Sequence, residues 1–140
     1  MVRPALVVHT LDHIRLALRT ASDAGRPLTL ITPPNAASYA GPAFYRNLLE
    51  RARHLESLTD EAVHVRLILD CGDDAGLALF ALDMGWQVLV LGGHRGARRR
   101  VRNIARQHGA EVLASRPAAV DLASAADAAE ACRESLKRAH

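Results

Sequence analysis

Residues 88–109 read VLVLGGHRGARRRVRNIARQHG, an apolar run followed by a glycine-rich turn and a helical pattern. The run Val88–Leu91 is typical of a strand that is buried on both faces, as strands of parallel sheets are. Beyond the turn, inward-facing residues recur at helical spacing, and Gly109 is a natural helix end. They are Val101, Ile104, Ala105 and His108. A strand that leads through a tight turn into a helix is the repeating unit of an α/β fold.

The same unit recurs along the chain and predicts one α/β domain over residues 1–140 with a parallel sheet. The five predicted strands are residues 5–8, 28–31, 65–69, 88–91 and 112–114. The first predicted helix covers 11–24, and the second begins at Pro42, with Phe44, Leu48, Ala52 and Leu55 facing inward. A third helix covers 77–82, and a fourth follows the glycine-rich turn. An additional C-terminal helix is predicted over 124–138. A loop of small residues is expected at 35–41. Helices on both faces of the sheet would make three layers.

Composition narrows the class of protein. The chain is 49% apolar and 24% charged, a globular balance with enough length for a core. The net charge is +3, and six arginines fall between Arg95 and Arg106 with no acid among them. That concentration predicts one local basic patch rather than a surface that coats nucleic acid. No apolar run is long enough for a membrane span or a secretory signal, so a cytoplasmic location is expected by elimination.

The glycine-rich turn after the fourth strand is the leading candidate for a binding site. Arginines near a helix N-terminus face the positive end of the helix dipole and cost about 0.3–1 kcal/mol each unless an anion lies there. Free backbone N–H groups at such a turn bind phosphate readily. The candidate phosphate-binding residues are Gly92, Gly93, His94, Arg95, Gly96, Arg98 and Arg99. The alternative is a tight turn followed by a solvated arginine-rich helix.

The other strand ends supply residues that would line the same cleft, because ligands of open α/β sheets bind beyond the carboxyl ends of the strands. These are His9, Thr10, Thr32, Asn35, Asp70 and Asp73. A divalent-cation site at the aspartates is one interpretation. The favoured one is that Asp73 or Asp74 caps the next helix. Asp70 would then pair with Arg66 or with a backbone amide.

A cysteine, two histidines and two aromatic residues invite chemical interpretations. Cys71, which lies among carboxylates, is expected to be a buried filler with a raised thiol pKa rather than a nucleophile. His9 and His13 are four residues apart, but His9 precedes the helix and need not share its face, so no metal site is predicted. Tyr39 either stacks on a base or, more simply, plugs the sheet edge. Trp86 is expected in the core.

The segment Val88–Arg99, together with Gly72-Asp73 and the first helix and second strand, resembles the universal stress proteins. In that family a G-x2-G-x9-G-[S/T] signature wraps the phosphates and ribose of ATP. Gly93 and Gly96 match its first part, whereas Arg106 occupies the place of its third glycine and His9 that of an aspartate. The resemblance implies a flavodoxin-like strand order 3-2-1-4-5, ATP or another nucleotide as ligand, and a homodimer.

Three functions remain open from the sequence. The first is a small regulatory domain that binds a phosphate-containing molecule at the strand ends. The second is an interaction module whose Arg98–Arg106 helix docks an acidic partner. The third is a hydrolase-type enzyme that uses Asp70, Asp73 and His94, although no catalytic residue stands out.

Overall fold

The computed structural model describes residues 4–137. In chain order its elements are β1 (Ala5–Val7), α1 (Leu11–Ala24), β2 (Leu28–Ile31), α2 (Ala36–Ala40), α3 (Pro42–Glu56), β3 (Val65–Asp70), α4 (Ala75–Asp83), β4 (Val88–Val90), α5 (Arg95–Gln107), β5 (Glu111–Leu113), β6 (Ala119–Asp121) and α6 (Ala128–Lys137). Within these residues no helix is both long and apolar enough to cross a bilayer.

The predicted three-layer α/β class with a parallel sheet is confirmed, but the predicted strand number and order are wrong. The sheet has six strands in the order β5-β4-β3-β2-β1-β6. β4 therefore lies beside β3, with Leu69 opposite Leu89, and not beside β1 as the order 3-2-1-4-5 requires. The place beside β1 belongs to β6, whose three residues are only partly buried or exposed. Such a short, half-polar segment lacks the apolar run by which strands are detected.

The strand order fixes where the chain changes direction across the sheet. From β1 to β5 each strand is placed beside the previous one, and β6 then lies on the other side of β1. The switch in strand order therefore falls between β1 and β6. In open α/β sheets this is the crevice where ligands bind, outside the carboxyl ends of the strands.

Contacts divide the described residues into two compact units. The first contains residues 4–31, 45–67 and 117–137, and its core lies between β1, β2, α1, α3 and α6. Its fully buried side chains include Leu6, Ile14, Leu18 and Leu30.

The second unit contains residues 32–44 and 68–116. Its interior is formed by Leu69, Leu82, Leu89 and Leu91. Trp86 is buried there, as predicted, and its Nε1 donates a 2.8 Å hydrogen bond to the carbonyl of Pro42.

Three local predictions need correction. The expected loop at 35–41 contains the short helix α2, whose Ala36 and Ala37 are buried. In α3 the inward side is rotated, because Tyr45 is buried while Phe44 and Leu55 are exposed. The last helix begins at 128 rather than 124, after a turn. Position 138 lies outside the described residues.

Candidate functional site

The start of α5 is closed by its own cap. His94 precedes the helix in an extended conformation, and its Nδ1 accepts hydrogen bonds from the amides of Gly96 at 3.1 Å and Ala97 at 3.3 Å. Gly96 is one of the residues that the sequence assigned to phosphate binding. An anion at this N-terminus would therefore compete with the imidazole of His94.

The glycines of the turn have a packing role. A Cβ placed on Gly92 would lie 2.8 Å from the carboxylate Oδ1 of Asp73, and one on Gly93 would lie 3.0 Å from the Asp73 Cβ. The amide of Gly92 also donates a 2.8 Å hydrogen bond to the carbonyl of Gly72. The two glycines let the β3–α4 turn approach closely, and that turn brings a negative side chain beside the predicted phosphate site.

The basic residues gather on one side of α5, here called the arginine face. Its members line a concavity of about 270 Å³ and are Arg95, Arg98, Arg99 and Arg102. Arg98 Nη1 donates to the carbonyl of Gly93 at 3.4 Å, and Arg102 Nη2 to that of Val112 at 3.5 Å. None of the described residues that line this concavity is acidic.

The predicted cleft residues Thr32, Asn35 and Asp70 meet in one network. Asp70 is 4% exposed, and its Oδ2 accepts a 2.7 Å hydrogen bond from Arg116 Nη1. Its Oδ1 accepts from the amides of Gly72 at 2.7 Å and Asn35 at 3.2 Å. Thr32 contributes its hydroxyl to the Asp70 amide and its carbonyl to Arg116.

This network gives Asp70 a structural role. The predicted pairing with a backbone amide is confirmed, while the cation that holds the carboxylate is Arg116 rather than Arg66. The sequence did not reveal the role of Arg116, because 46 residues separate it from Asp70.

The remaining groups at the end of β3 also have structural roles. Asp74 caps α4 by accepting from the amide of Leu77 at 3.0 Å, as one of the two predicted caps. Cys71 is buried as expected. Burial, with the charges of Asp70 and Asp74, raises the pKa of its thiol to about 12, which disfavours the nucleophilic thiolate.

A second cluster lies at the carboxyl ends of β1 and β6. His9 Nε2 and Asp121 Oδ1 are 2.8 Å apart. The backbone amide of His9 donates to Nδ1 of His13 at 3.1 Å, and the two rings stand edge to face with centroids 5.8 Å apart. Contrary to expectation, His9 and His13 do come together, although one precedes the helix. Asp121 was missed by the sequence analysis, because 112 residues separate it from His9.

Two pKa shifts describe the electrostatics of this cluster. Burial and the nearby His9 lower the pKa of His13, against the opposing charges of Asp121 and Asp12. Burial raises the pKa of Asp121, but the hydrogen bond from the Ala123 amide and the contact with His9 outweigh it, so the net shift is downward. At neutral pH the cluster therefore contains a neutral His13 and an ionised Asp121.

Two further predictions concern Tyr39 and metal binding. Tyr39 is 64% exposed and does not plug the sheet edge. Among the described residues, no group of three or more histidine, cysteine, aspartate or glutamate side chains is placed to hold a metal ion.

A separate concavity of about 370 Å³ lies at the other end of α1, where residues from Thr20 to Arg26 meet Arg133 and Lys137 of α6. It lies at the opposite end of α1 from His13 and Thr10.

Comparisons with known proteins support the fold alone. No protein-family model matches the chain, and a search of curated proteins found no match. One similar solved structure is provisionally described as a fructose-1,6-biphosphate aldolase from Coccidioides immitis, with a TM-score of 0.58 and 19% identity. The match covers 79% of this chain but 44% of the other, so the chain corresponds to less than half of that protein.

Proposed function

We propose that the protein binds a phosphate-bearing small molecule at the arginine face of α5. The observation that carries the proposal is a concavity lined by four arginines and by no acidic side chain among the described residues. Guanidinium groups donate paired hydrogen bonds whose geometry fits phosphate oxygens. A bound phosphate would also offset the unfavourable interaction of the N-terminal arginines with the helix dipole.

Arginine side chains rather than backbone amides would hold the phosphate. The amides of Gly96 and Ala97 already donate to His94, so Arg95 and Arg99 are the residues expected to hold the ligand. Neither side chain has a hydrogen bond or ion pair to another described residue. An adenine nucleotide is the first ligand to test, since it carries phosphates and matches the resemblance of the Gly93–Gly96 segment.

The test is thermal unfolding with ATP, ADP, AMP and inorganic phosphate, each with and without magnesium. A ligand at one hundred times its dissociation constant adds about 2.7 kcal/mol to the free energy of unfolding. For a chain of this size that raises the melting temperature by about 5 °C or more. The double variant Arg95→Gln/Arg99→Gln should lose the shift, while Arg100→Gln, an exposed arginine of α5 outside the face, should keep it.

Two outcomes would contradict phosphate binding at the arginine face. No shift with any of the four compounds, or a shift that survives in the double variant, would remove phosphate binding from the arginine face. The Arg100→Gln control separates a loss of specific contacts from a general loss of positive charge.

A second function is favoured by the length of the basic surface. Arginines continue along α5 from Arg95 to Arg106, about 16 Å at the helical rise. That is longer than one phosphate group, and it fits an acidic segment of a partner protein. This alternative would be established if a glutamate-rich peptide binds wild type but not the double variant, and if wild type shows no thermal shift with any of the four small compounds.

The enzymatic hypothesis built on Asp70, Asp73 and His94 receives no support from these contacts. Both carboxylate oxygens of Asp70 accept hydrogen bonds from the protein. The Nδ1 atom of His94 is committed to capping α5.

A further inference from the structure

The cluster of His9, His13 and Asp121 lies at the switch in strand order. His9 and Asp121 follow or end the two neighbouring strands β1 and β6, between which the order switches. Both side chains are partly open to solvent, at 32% and 40% exposed. A titratable cluster that is hydrogen-bonded yet accessible, in this crevice, is where an α/β sheet places its chemistry.

The contact with Asp121 determines which nitrogen of His9 is available. An ionised carboxylate only accepts hydrogen bonds, so the proton of a neutral His9 ring resides on Nε2 at the 2.8 Å contact. The lone pair of Nδ1 is then available to a substrate. Asp121 in turn is fixed by the 2.9 Å hydrogen bond from the Ala123 amide. A carboxylate that orients an imidazole and stabilises its protonated form is the arrangement that general bases use.

The contact with the His9 amide determines which nitrogen of His13 carries the proton. Since Nδ1 of His13 accepts that hydrogen bond, the neutral ring has its proton on Nε2 and presents a donor. Its lowered pKa keeps the ring neutral near pH 7. A base nitrogen and an N–H donor are thus held on adjacent rings.

The start of α1 adds a site for a negative group. Thr10 caps the helix by accepting from the amide of His13 at 3.1 Å. The amides of Leu11 and Asp12 have no acceptor among the described residues. Free amides at the start of a 14-residue helix favour a carboxylate or phosphate beside the two imidazoles.

The nearby hydroxyl groups are committed elsewhere. The hydroxyl of Ser124 donates to the carbonyl of Asp121 at 3.3 Å, and that of Thr10 accepts from the backbone. Among the described residues no hydroxyl is hydrogen-bonded to the ring of His9 or His13, so the cluster supplies a base and a donor rather than a nucleophile paired with a base.

We propose that His9 acts as a general base on a small carbonyl compound that bears a phosphate or carboxylate. The C–H bond beside the carbonyl breaks, and its proton moves to Nδ1 of His9. The Nε2–H of His9 keeps its proton and continues to donate its hydrogen bond to the Asp121 carboxylate. The C–H electron pair forms a C=C bond, and the carbonyl π pair moves to the oxygen, which accepts a hydrogen bond from Nε2 of His13. Return of the proton to carbon regenerates the carbonyl. Asp121 is a positioning residue in this scheme.

The test is hydrogen–deuterium exchange into the substrate in D2O, followed by proton NMR. Dihydroxyacetone phosphate is the phosphate probe and pyruvate the carboxylate probe. Wild type should accelerate exchange of at least one probe, and His9→Gln should lower the enzyme rate by about a hundredfold or more, as loss of a general base does. Exchange of only one probe supports the proposal and identifies the anion.

Two variants separate catalysis from folding. Asp121→Asn should lower kcat while leaving KM unchanged, because it disturbs the orientation of the base and not the binding of the anion. His54→Gln, an exposed histidine of α3, should exchange at the wild-type rate. The proposal is overturned if wild type exchanges neither probe faster than His9→Gln, or if His54→Gln lowers the rate as much as His9→Gln does.

Discussion

Asp70 shows how a single buried charge organises the carboxyl end of β3. Its carboxylate accepts one hydrogen bond from a guanidinium and two from backbone amides. A buried carboxylate is tolerated only when it is paired and its lone pairs are satisfied. No buried side-chain nitrogen or oxygen lacks a partner among the described residues, and Asp70 is the most demanding of these groups.

Removal of the paired cation should destabilise the fold. Arg116→Met leaves the Asp70 carboxylate without its counter-ion and the Thr32 carbonyl without a donor. We expect a loss of about 2 kcal/mol in the free energy of unfolding, less than for a fully buried pair because the Arg116 side chain is 27% exposed. Urea denaturation at pH 7 measures it. Arg100→Met is the matched control and should change stability by about 0.5 kcal/mol at most; equal losses in the two variants would contradict the structural role.

His13 should make stability depend on pH. Its pKa is lowered in the folded state, so the unfolded chain binds more protons as pH falls toward and below 6.5. Stability is therefore fully present above the unfolded pKa and decreases as the solution is acidified through it. A protonated His13 also cannot accept the hydrogen bond from the His9 amide.

The measurement is the free energy of unfolding between pH 8 and pH 5 for wild type and His13→Gln. We expect a smaller loss on acidification in the variant, which still faces His9, Asp121 and Asp12. His54→Gln should follow the wild-type curve. A variant curve as steep as wild type would show that His13 does not titrate with unfolding.

At the scale of elements, the sequence predicted those with a strong local signal. β1 and β4 are wholly apolar, and β2 and β3 are mainly so. α1 is followed by Gly25 in the left-handed conformation, as its pattern predicts. β6 and α2 were missed because three and five residues hold too little periodicity to recognise. The sequence did not reveal the packing role of Gly92 and Gly93 either. Asp73, whose close approach requires those glycines, belongs to another turn.

The β4–α5 turn offers a matched pair of glycine substitutions. Gly93 and Gly109 both have left-handed φ angles, +77° and +67°, but a Cβ on Gly109 meets open space while one on Gly93 meets Asp73. Gly109→Ala should cost about 1 kcal/mol, the conformational penalty alone. Gly93→Ala should cost more, because its Cβ would lie 3.0 Å from the Asp73 Cβ, and Asp73→Gly should recover the excess in the double variant. Denaturation of wild type, of the Gly93 and Asp73 single variants and of their double variant gives the coupling free energy. A value of zero would mean that the two turns are not in close contact.

At the scale of the whole molecule, strand order was the property that the sequence did not reveal. The order 3-2-1-4-5 came from a family resemblance, and hydrophobic patterning is the same for any parallel order. What decides the order is a pairing between chain ends: Ala5, Leu6 and Val7 of β1 pair with Ala119, Val120 and Asp121 of β6. That pairing also brings Asp121 beside His9. The wrong predicted strand order and the missed site residue Asp121 therefore have the same cause, the unrecognised strand β6.

The same pairing makes the last segment necessary for the first unit. Leu122, Cys132 and Leu136 of that segment are buried against side chains of β1 and α1, including Leu6, Ile14 and Leu18. Leu136→Ala should therefore cost about 2–3 kcal/mol, a typical value for a buried leucine. Leu79→Ala on α4, where the side chain is 38% exposed, is the control and should cost much less. Hydrogen exchange should show lost protection of the β1 and α1 amides in Leu136→Ala, because their packing partner is truncated. If those amides keep wild-type protection and the two variants unfold alike, α6 is a peripheral addition to the first unit.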